Sequence, residues 1–241
     1  MYTEVYEELF ARVPDHPQLT GVVHEKEHAA AVSRQVRVLE RFLRPDSCFL
    51  EVGAGDCALS SAIAEKTRGE VHAVDVSPTI TELSDLSARV QVHLTDGRTI
   101  PVPDGSIDLA YSSHLIEHLH PDDALEQTTN VCRAVREGGS YVCITPNRLS
   151  GPHDISKFFD DEATGFHLHE YTTLELATLF KRAGFRKTSV VIPLRGCAYV
   201  VPLPFISTLE RLLLALPRKL GYKVSGETPL AGVFGRVVGQ K

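Results

Sequence analysis

The sequence predicts an α/β fold: an open, mostly parallel sheet with helices on both faces. Three observations lead there. Short apolar runs alternate with amphipathic stretches along most of the chain. Two glycines, Gly53 and Gly55, directly follow the first apolar run. Two later runs stop at an aspartate, Asp75 and Asp96. Strands that alternate with helices form parallel βαβ units, and such sheets bind ligands beyond the carboxyl ends of their strands.

The elements follow in order. Residues 2–13 read as a short helix with Val5, Leu9 and Phe10 on one face, broken by Pro14 and Pro17. Residues 24–43 read as a longer helix, with Val32, Val36, Leu39 and Phe42 at helical spacing. Cys48 to Val52 is a buried strand running into the Gly53-Ala54-Gly55 turn, and residues 58–67 are the next helix. Val71 to Val74 is a second strand ending at Asp75, and residues 79–88 a helix. Val90 to Leu94 alternates as a third strand, and Ile107 to Tyr111 follows the Pro103-Asp104-Gly105 turn as a fourth. Residues 121–137 form a helix closed by Gly138-Gly139, before a fifth strand at Tyr141 to Ile144. Residues 148–170 are a long polar connection rich in Gly, His and Asp, and long connections in compact domains are often functional. Beyond it come a helix at 172–183, a strand at 188–194, an apolar helix at 203–216 and a last strand at 230–238. This is one domain: a helical cap (1–45), a ligand-binding core (46–195), an insertion or lid (196–226) and the last strand (227–241).

Composition sets the outer limits. Over 241 residues, 43% hydrophobic and 23% charged content describes a globular chain and excludes a disordered chain, a collagen and a coiled coil. A net charge of −6 argues against a nucleic-acid partner. The five cysteines form no CxxC pair and read as buried, reduced thiols. The N-terminal stretch lacks a secretory pattern and no run is long enough to span a bilayer, so a cytoplasmic protein is expected. Charge is uneven: residues 1–180 carry 14 Lys and Arg against 29 Asp and Glu, and residues 181–241 carry 11 against two. The basic C-terminal quarter either meets an anionic partner, or packs on acidic surface or lies solvated; the apolar 203–216 helix with its basic flanks reads as a peripheral membrane or lipid-linked-substrate contact, or as a lid packed on the core or on a second subunit of a homodimer.

The chemistry concentrates at the strand ends. Glycines after a buried strand let the backbone turn sharply and approach a ligand, and the next helix points N–H groups at it. Asp75, 20 residues past Gly55, can accept both hydroxyls of a ribose. Asp96-Gly97 offers a carboxylate and an amide to an adenine edge.

With those residues in place, the chain resembles the class I S-adenosylmethionine-dependent methyltransferases of the small-molecule group. The resemblance rests on LEVGAGDCALS, AVDVS, LTDGRTIPVPDGSIDLAYSSHLIEHL and REGGSYVCITPN, and covers residues 46–147 closely. It extends through EYTTLELATLFKRAGF. It implies a Rossmann-like, seven-stranded sheet whose last strand is antiparallel, and S-adenosyl-L-methionine as cofactor. Carried over by position, Gly53, Ala54 and Gly55 line the methionine moiety, and Glu51 buttresses the loop and the amino group. Asp75 takes the ribose, Val76 packs on adenine, Asp96 and Gly97 hold its edge. Ser112, Ser113 and His114 close over the cofactor.

The acceptor side is less determined. His153, His167 and His169 follow strand five and are the candidate general bases for a hydroxyl acceptor, with Asp154 as orienter. His114-Leu-Ile-Glu117-His118 matches a zinc-protease string, but it follows a strand, outside the context in which that motif acts; no metal site is expected. The reading is methyl transfer to a small-molecule or carrier-linked acceptor, an anionic one included, most simply at oxygen. Three alternatives stand: N- or C-methylation, a nicotinamide-dependent oxidoreductase using the same glycine turn, and a non-catalytic partner-binding protein of this fold. The second has no use for Asp96-Gly97 or for the segment after strand four.

Overall fold

The structure is a computed structural model that describes residues 25–82, 86–158, 160–194, 196–226 and 228–241. Its strands are β1 (Phe49–Val52), β2 (Val71–Asp75), β3 (Val90–Leu94), β4 (Ile107–Ser113), β5 (Val135–Ile144), β6 (Lys187–Leu194), β7 (Cys197–Pro202) and β8 (Arg236–Gln240). Its helices are α1 (Glu25–Leu39), α2 (Ala58–Ala64), α3 (Pro121–Ala134), α4 (Thr173–Arg182), α5 (Leu203–Leu214) and α6 (Arg218–Gly226). One sheet runs in the order β3-β2-β1-β4-β5-β8-β6-β7. The first five strands are mutually parallel. β8 lies antiparallel between β5 and β6. The chain winds outward both ways from β1 and β4, which puts the topological switch point at their carboxyl ends.

Strand alternation splits the core into two layers. Phe49, Leu109, Tyr111 and Val142 face Val36 and Leu39 of α1 and Leu59 and Ile63 of α2. Leu50, Val52, Tyr141 and Cys143 face Val131 of α3, Leu176 and Phe180 of α4, and Ile206 and Leu213 of α5. Each fully buried Leu, Ile or Phe contributes about 1.5–3 kcal/mol. α4 starts at a capping box in which Thr172 and Glu175 bond each other's backbone.

The sheet departs from the expected count. It has eight strands because Cys197–Pro202 folds back on β6 as an edge strand, with Leu194 opposite Cys197 across the turn at Gly196. Tyr199, Val200 and Val201 favour a strand, and Pro193 is accommodated where β6 has already left β8. The 196–226 insertion is therefore a strand followed by two helices.

Other boundaries shift for local reasons. Of the helix expected over 79–88, the described residues show a 3-10 turn at Pro78–Glu82, in keeping with Pro78 and the β-branched Thr79, Ile80 and Thr81. α3 stops at Ala134, and the glycines expected to close it lie inside β5. There the pairing jumps from Ile107–Val135 to Leu109–Ser140, and a Cβ at Gly139 would come within 2.7 Å of Val135. The last strand begins at Arg236, after a 3-10 turn at Pro229–Gly232.

Of the expected cap (1–45), the structure describes residues 25 onward. The 2–13 helix lies outside the described residues. α1 packs on the sheet face beside α2, not over the strand ends. Only its first turns reach the glycine loop, where His28 Nε2 stands 3.2 Å from Asp56.

Candidate active site

The turn after β1 is built from the strand and glycine sequence together. Gly53 and Gly55 both take positive φ, +75° and +52°, which costs a glycine little. Cys57 also sits at +57°, an uncommon conformation for a side-chain-bearing residue. The amides of Gly53 and Ala54 donate to Val74 O at 2.8 and 3.1 Å. Asp75 closes the loop: Oδ2 accepts from the Gly55 amide at 2.8 Å and Oδ1 from the Ser77 amide at 2.9 Å. Glu51 is buried beneath, its Oε2 accepting from the Ser60 amide at 3.0 Å and the Ser60 hydroxyl at 2.6 Å. Burial pushes its carboxyl up to about 8 against those two hydrogen bonds. Burial likewise pushes the Cys57 thiol up to about 12.

A cleft opens beside this loop at the switch point. Its walls are apolar: Val52, Val74, Ile100 and Leu115. Gly53, Asp75, Val76 and Gly97 border it. Leu115 lies close enough to Gly53 that an added Cβ would meet it at 3.1 Å. Gln127, from α3, completes the cleft; its Nε2 donates to Gly97 O at 2.5 Å, and its buried Oε1 has no hydrogen-bond partner. Among buried polar atoms such an orphan is uncommon.

Other predicted residues take different positions. Ser112 is turned into the core, where its hydroxyl bonds Tyr141 Oη at 2.7 Å, so it does not face the cleft. Ser113 is half-buried at the end of β4, and Ala54 is buried within the turn. The Asp96 carboxylate folds back on its own turn, accepting from the amides of Arg98 and Thr99 at 3.0 and 2.7 Å. Those amides hold it down at about 2. His114 is exposed, adopts φ +53°, and places Nδ1 3.5 Å from Glu117 Oε1.

The segment after β5 holds the three histidines in different settings. His167 is buried, its Nδ1 2.7 Å from Glu170 Oε1. Although burial alone would lower this imidazole, Glu170, Glu117 and Asp154 together raise it. His153 Nδ1 stands 3.2 Å from Glu170 Oε2. Glu170 thus orients both rings, and the histidines hold its own carboxyl down at about 2 in spite of burial. Asp154 does not orient a histidine side chain. Its Oδ2 accepts from the amides of Gly165, Phe166 and His167, and so fixes the loop. His169 is half-buried with its ring edge against Tyr171.

A second cleft lies on this side. It is bordered by Gly151, His169 and Glu170, by Leu213 and Leu216 near the end of α5, and by Arg148 and Arg218. Both arginines are paired, Arg148 with Glu175 at 2.6 Å and Arg218 with Asp161 at 2.8 Å. α5 turns only part of its apolar surface inward: Ile206 and Leu213 are buried with Glu210, whereas Leu212, and Leu216 just beyond the helix, are exposed. Glu210 Oε1 accepts from Asn147 Nδ2 and from the Thr173 amide and hydroxyl at 2.7–2.8 Å, so α5 is pinned to the core. No described helix is long and apolar enough to cross a membrane. The two clefts share a partition: Leu115 borders the first, and the Glu117 carbonyl accepts from the Leu168 and His169 amides that wall the second.

Sequence reasoning missed Leu115, Gln127 and Glu170. Gln127 looks like any polar residue on a helix face, and its orphaned oxygen is visible only once β3 and α3 are adjacent. Glu170 carried a signal, an acid flanked by His167 and His169, that spacing alone leaves ambiguous.

Comparison with known proteins places this architecture. Residues 49–139 match the sequence profile of a family described as a methyltransferase domain. The chain is 29% identical over 136 residues to a probable S-adenosylmethionine-dependent methyltransferase of Mycolicibacterium smegmatis, covering 56% of this chain and 51% of that protein. It is 31% identical over 137 residues to one of Mycobacterium tuberculosis carrying the same description, covering 56% and 47%. The chain thus spans about half the length of the curated relatives it matches. An S-adenosylmethionine-dependent methyltransferase from Mesorhizobium loti superposes with a TM-score of 0.58 at 16% identity, over 84% of this chain and 95% of that one. A likeness at that identity establishes the fold.

Proposed function

We propose that this chain, whose residues 49–139 match a methyltransferase-domain family and which is similar to probable S-adenosylmethionine-dependent methyltransferases, is itself one of the class I S-adenosylmethionine-dependent enzymes and transfers a methyl group to the hydroxyl oxygen of a small or carrier-linked acceptor. The observation that carries the cofactor assignment is the orphaned Gln127 Oε1 in an apolar slot beside Gly53 and Asp75. An exocyclic adenine amine satisfies that oxygen, the apolar walls take the flat ring, and Asp75 lies where a ribose needs an acceptor. Gly97, held by Gln127, faces the adenine edge, while Asp96 supports the turn. Val76 packs against the ring, and Gly53, Ala54 and Gly55 bring backbone close to the methionine moiety. Glu51 lies under that loop, placed to receive its ammonium. S-adenosyl-L-methionine, when bound, supplies a methyl carbon activated by a sulfonium.

The chain's residues then align the acceptor and move one proton. Of the three candidate histidines, His169 borders the second cleft, and we assign it the proton. His169 would take the hydroxyl proton as the acceptor oxygen bonds the methyl carbon, the electron pair of the broken carbon–sulfur bond staying with the sulfur of the departing thioether. His153 and His167 instead share Glu170, which borders the cleft. A second reading has its own support. The cleft sets two paired arginines against Asp161, Glu162 and Glu170, a surplus that suits a neutral or amine acceptor better than an anion and keeps N-methylation open.

Calorimetric titration with S-adenosylmethionine, S-adenosylhomocysteine and NAD tests the cofactor. The first two are expected to bind and NAD is not; NAD binding alone overturns the assignment. Turnover on matched hydroxyl and amine acceptors then separates the two chemistries. On a hydroxyl acceptor, His169→Ala is expected to lower kcat by about 100-fold or more while leaving S-adenosylhomocysteine affinity unchanged. Full turnover by that variant removes His169 from the role.

A further inference from the structure

The partition between the clefts holds a cluster that methyl transfer does not require. Glu117, His118 and His167 each bring a ligand atom within 4.8 Å of the others. They come from two places far apart in sequence: the 3-10 turn Ile116–His118 after β4, and the segment after β5. The two are stitched together by the Glu117 carbonyl, which accepts from the Leu168 amide at 2.7 Å.

Three features of this cluster are those of a cation site. The first is Glu117 itself. Its side chain is fully buried; Oε2 accepts from the Thr145 hydroxyl at 2.8 Å, but Oε1 has no hydrogen-bond partner. His114 Nδ1, at 3.5 Å, is too distant for a strong bond to it. That long contact is the one His114 offers Oε1, and a buried carboxylate oxygen so weakly satisfied gains from a bound cation.

The second feature is the orientation of the rings. His118 Nδ1 lies 3.1 Å from the Phe166 carbonyl, and His167 Nδ1 lies 2.7 Å from Glu170 Oε1. Both partners only accept, so each Nδ1 carries the proton and each Nε2 carries the lone pair. A backbone carbonyl and a carboxylate on the far nitrogen are the supports that orient metal-binding histidines. The third feature is His114, an exposed imidazole beside Glu117, held at a positive φ that its side chain disfavours. Such strain collects where a side chain is aimed for a purpose.

We propose that Glu117, His118 and His167 bind a divalent first-row transition cation, with His114 beside the open coordination position. Two imidazoles and a carboxylate suit Zn²⁺, Mn²⁺, Fe²⁺ or Co²⁺ better than Mg²⁺ or Ca²⁺. Metal–ligand bonds of about 2.0–2.2 Å require the ligand atoms to close by about 1 Å, within reach of small side-chain rotations. The role of the ion rests on the methyl-transfer reading. Held where the Glu117 carbonyl accepts from the Leu168 and His169 amides, the ion would lower the pKa of an acceptor hydroxyl that reaches its open position, and that hydroxyl would then give its proton to His169 more readily. Binding of the ion does not rest on that reading.

Titration of the chelator-stripped chain with Co²⁺, followed by visible absorption, tests the site. One equivalent is expected to bind, with the bands of a nitrogen–oxygen site, and Zn²⁺ is expected to displace it. Glu117→Gln, His118→Ala and His167→Ala are each expected to weaken binding at least tenfold, and Glu170→Gln about tenfold or more through His167. If Glu117→Gln does not fold, His118→Gln, on a half-buried ring, carries the test. Absence of stoichiometric binding by the wild-type chain, or binding unchanged in the folded variants, overturns the proposal. S-adenosylhomocysteine affinity on the same preparations separates the two readings: its absence alongside Co²⁺ binding removes the transferase assignment and leaves the metal site standing.

Discussion

Replacing Glu51 by glutamine is expected to stabilise the protein at high pH and leave it nearly unchanged at low pH. In the unfolded chain this carboxyl ionises near 4.5; in the folded chain burial holds its proton to about 8. Between those values the native state binds more protons than the unfolded state, so this group's contribution to stability is full below 4.5 and is lost as the pH rises through 8. At about 1.4 kcal/mol for each tenfold change in proton affinity, the ceiling on that loss is about 5 kcal/mol. Glutamine keeps an oxygen to accept from the Ser60 amide and hydroxyl, and cannot ionise. Urea unfolding of both proteins from pH 5 to pH 9 measures the difference. The two are expected within about 1 kcal/mol of each other at pH 5, with the variant ahead by several kcal/mol at pH 8.5 and the denaturant slopes equal. Parallel stability curves across that range would refute the argument, because they would mean that Glu51 titrates alike in both states. The same group reports on the site. A ligand ammonium beside it favours the carboxylate, so S-adenosylmethionine binding near pH 7 should release protons. That release appears as a buffer-dependent heat in calorimetry and is absent from Glu51→Gln.

Gly53→Ala should cost about 1–2 kcal/mol of stability for a side chain at positive φ. Crowding of Leu115 should also lower S-adenosylhomocysteine affinity at least tenfold; unchanged affinity by calorimetry would remove the loop from the site. Gln127→Leu deletes the orphaned oxygen together with the Nε2 donor to Gly97 O, so the folded apo protein should lose about 1 kcal/mol while discrimination against inosine analogues of the cofactor falls about tenfold. Equal discrimination would exclude contact with the adenine edge. Glu210→Ala breaks a buried carboxylate network between α5, α4 and Asn147, and should cost about 3–5 kcal/mol by urea unfolding. A loss below 1 kcal/mol would mean that α5 is held by its apolar contacts alone.

The first half of the chain was legible because its signals are local. The β1 run, the two glycines and the aspartates at strand ends identify themselves by chemistry and spacing, and Gly53, Asp75, Val76 and Gly97 line one cleft. What stayed hidden depends on partners distant in sequence. Gly138-Gly139 has the look of a helix stop; only the pairing of β5 with β4 shows it to be a bulge. Ser112 reads as a cleft hydroxyl until Tyr141, 29 residues on, claims it in the core. Asp154 and Glu170 are both acids among histidines, and which of them orients a ring is set by how the loop folds, which no short-range pattern encodes. Cys197–Pro202 escaped notice because an apolar helix follows without a break, and a strand of six residues merges into it.

The position of β8 has a consequence for the order in which the protein can be assembled. This strand leaves the ribosome after β6 and β7, yet it is the piece that joins them to β5. Until Arg236–Gln240 has cleared the exit tunnel, the nascent chain holds a five-stranded platform and a separate hairpin with their open edges facing each other. Both edges are sticky in that interval, because unpaired strand edges invite foreign pairing. The glycine loop and its cleft belong to the platform and can form early, whereas the second cleft, walled by segments on either side of the gap, has to wait for the final strand to dock. A fusion or truncation that delays β8 should therefore leave a species that binds nucleoside and aggregates, rather than one that is uniformly unfolded.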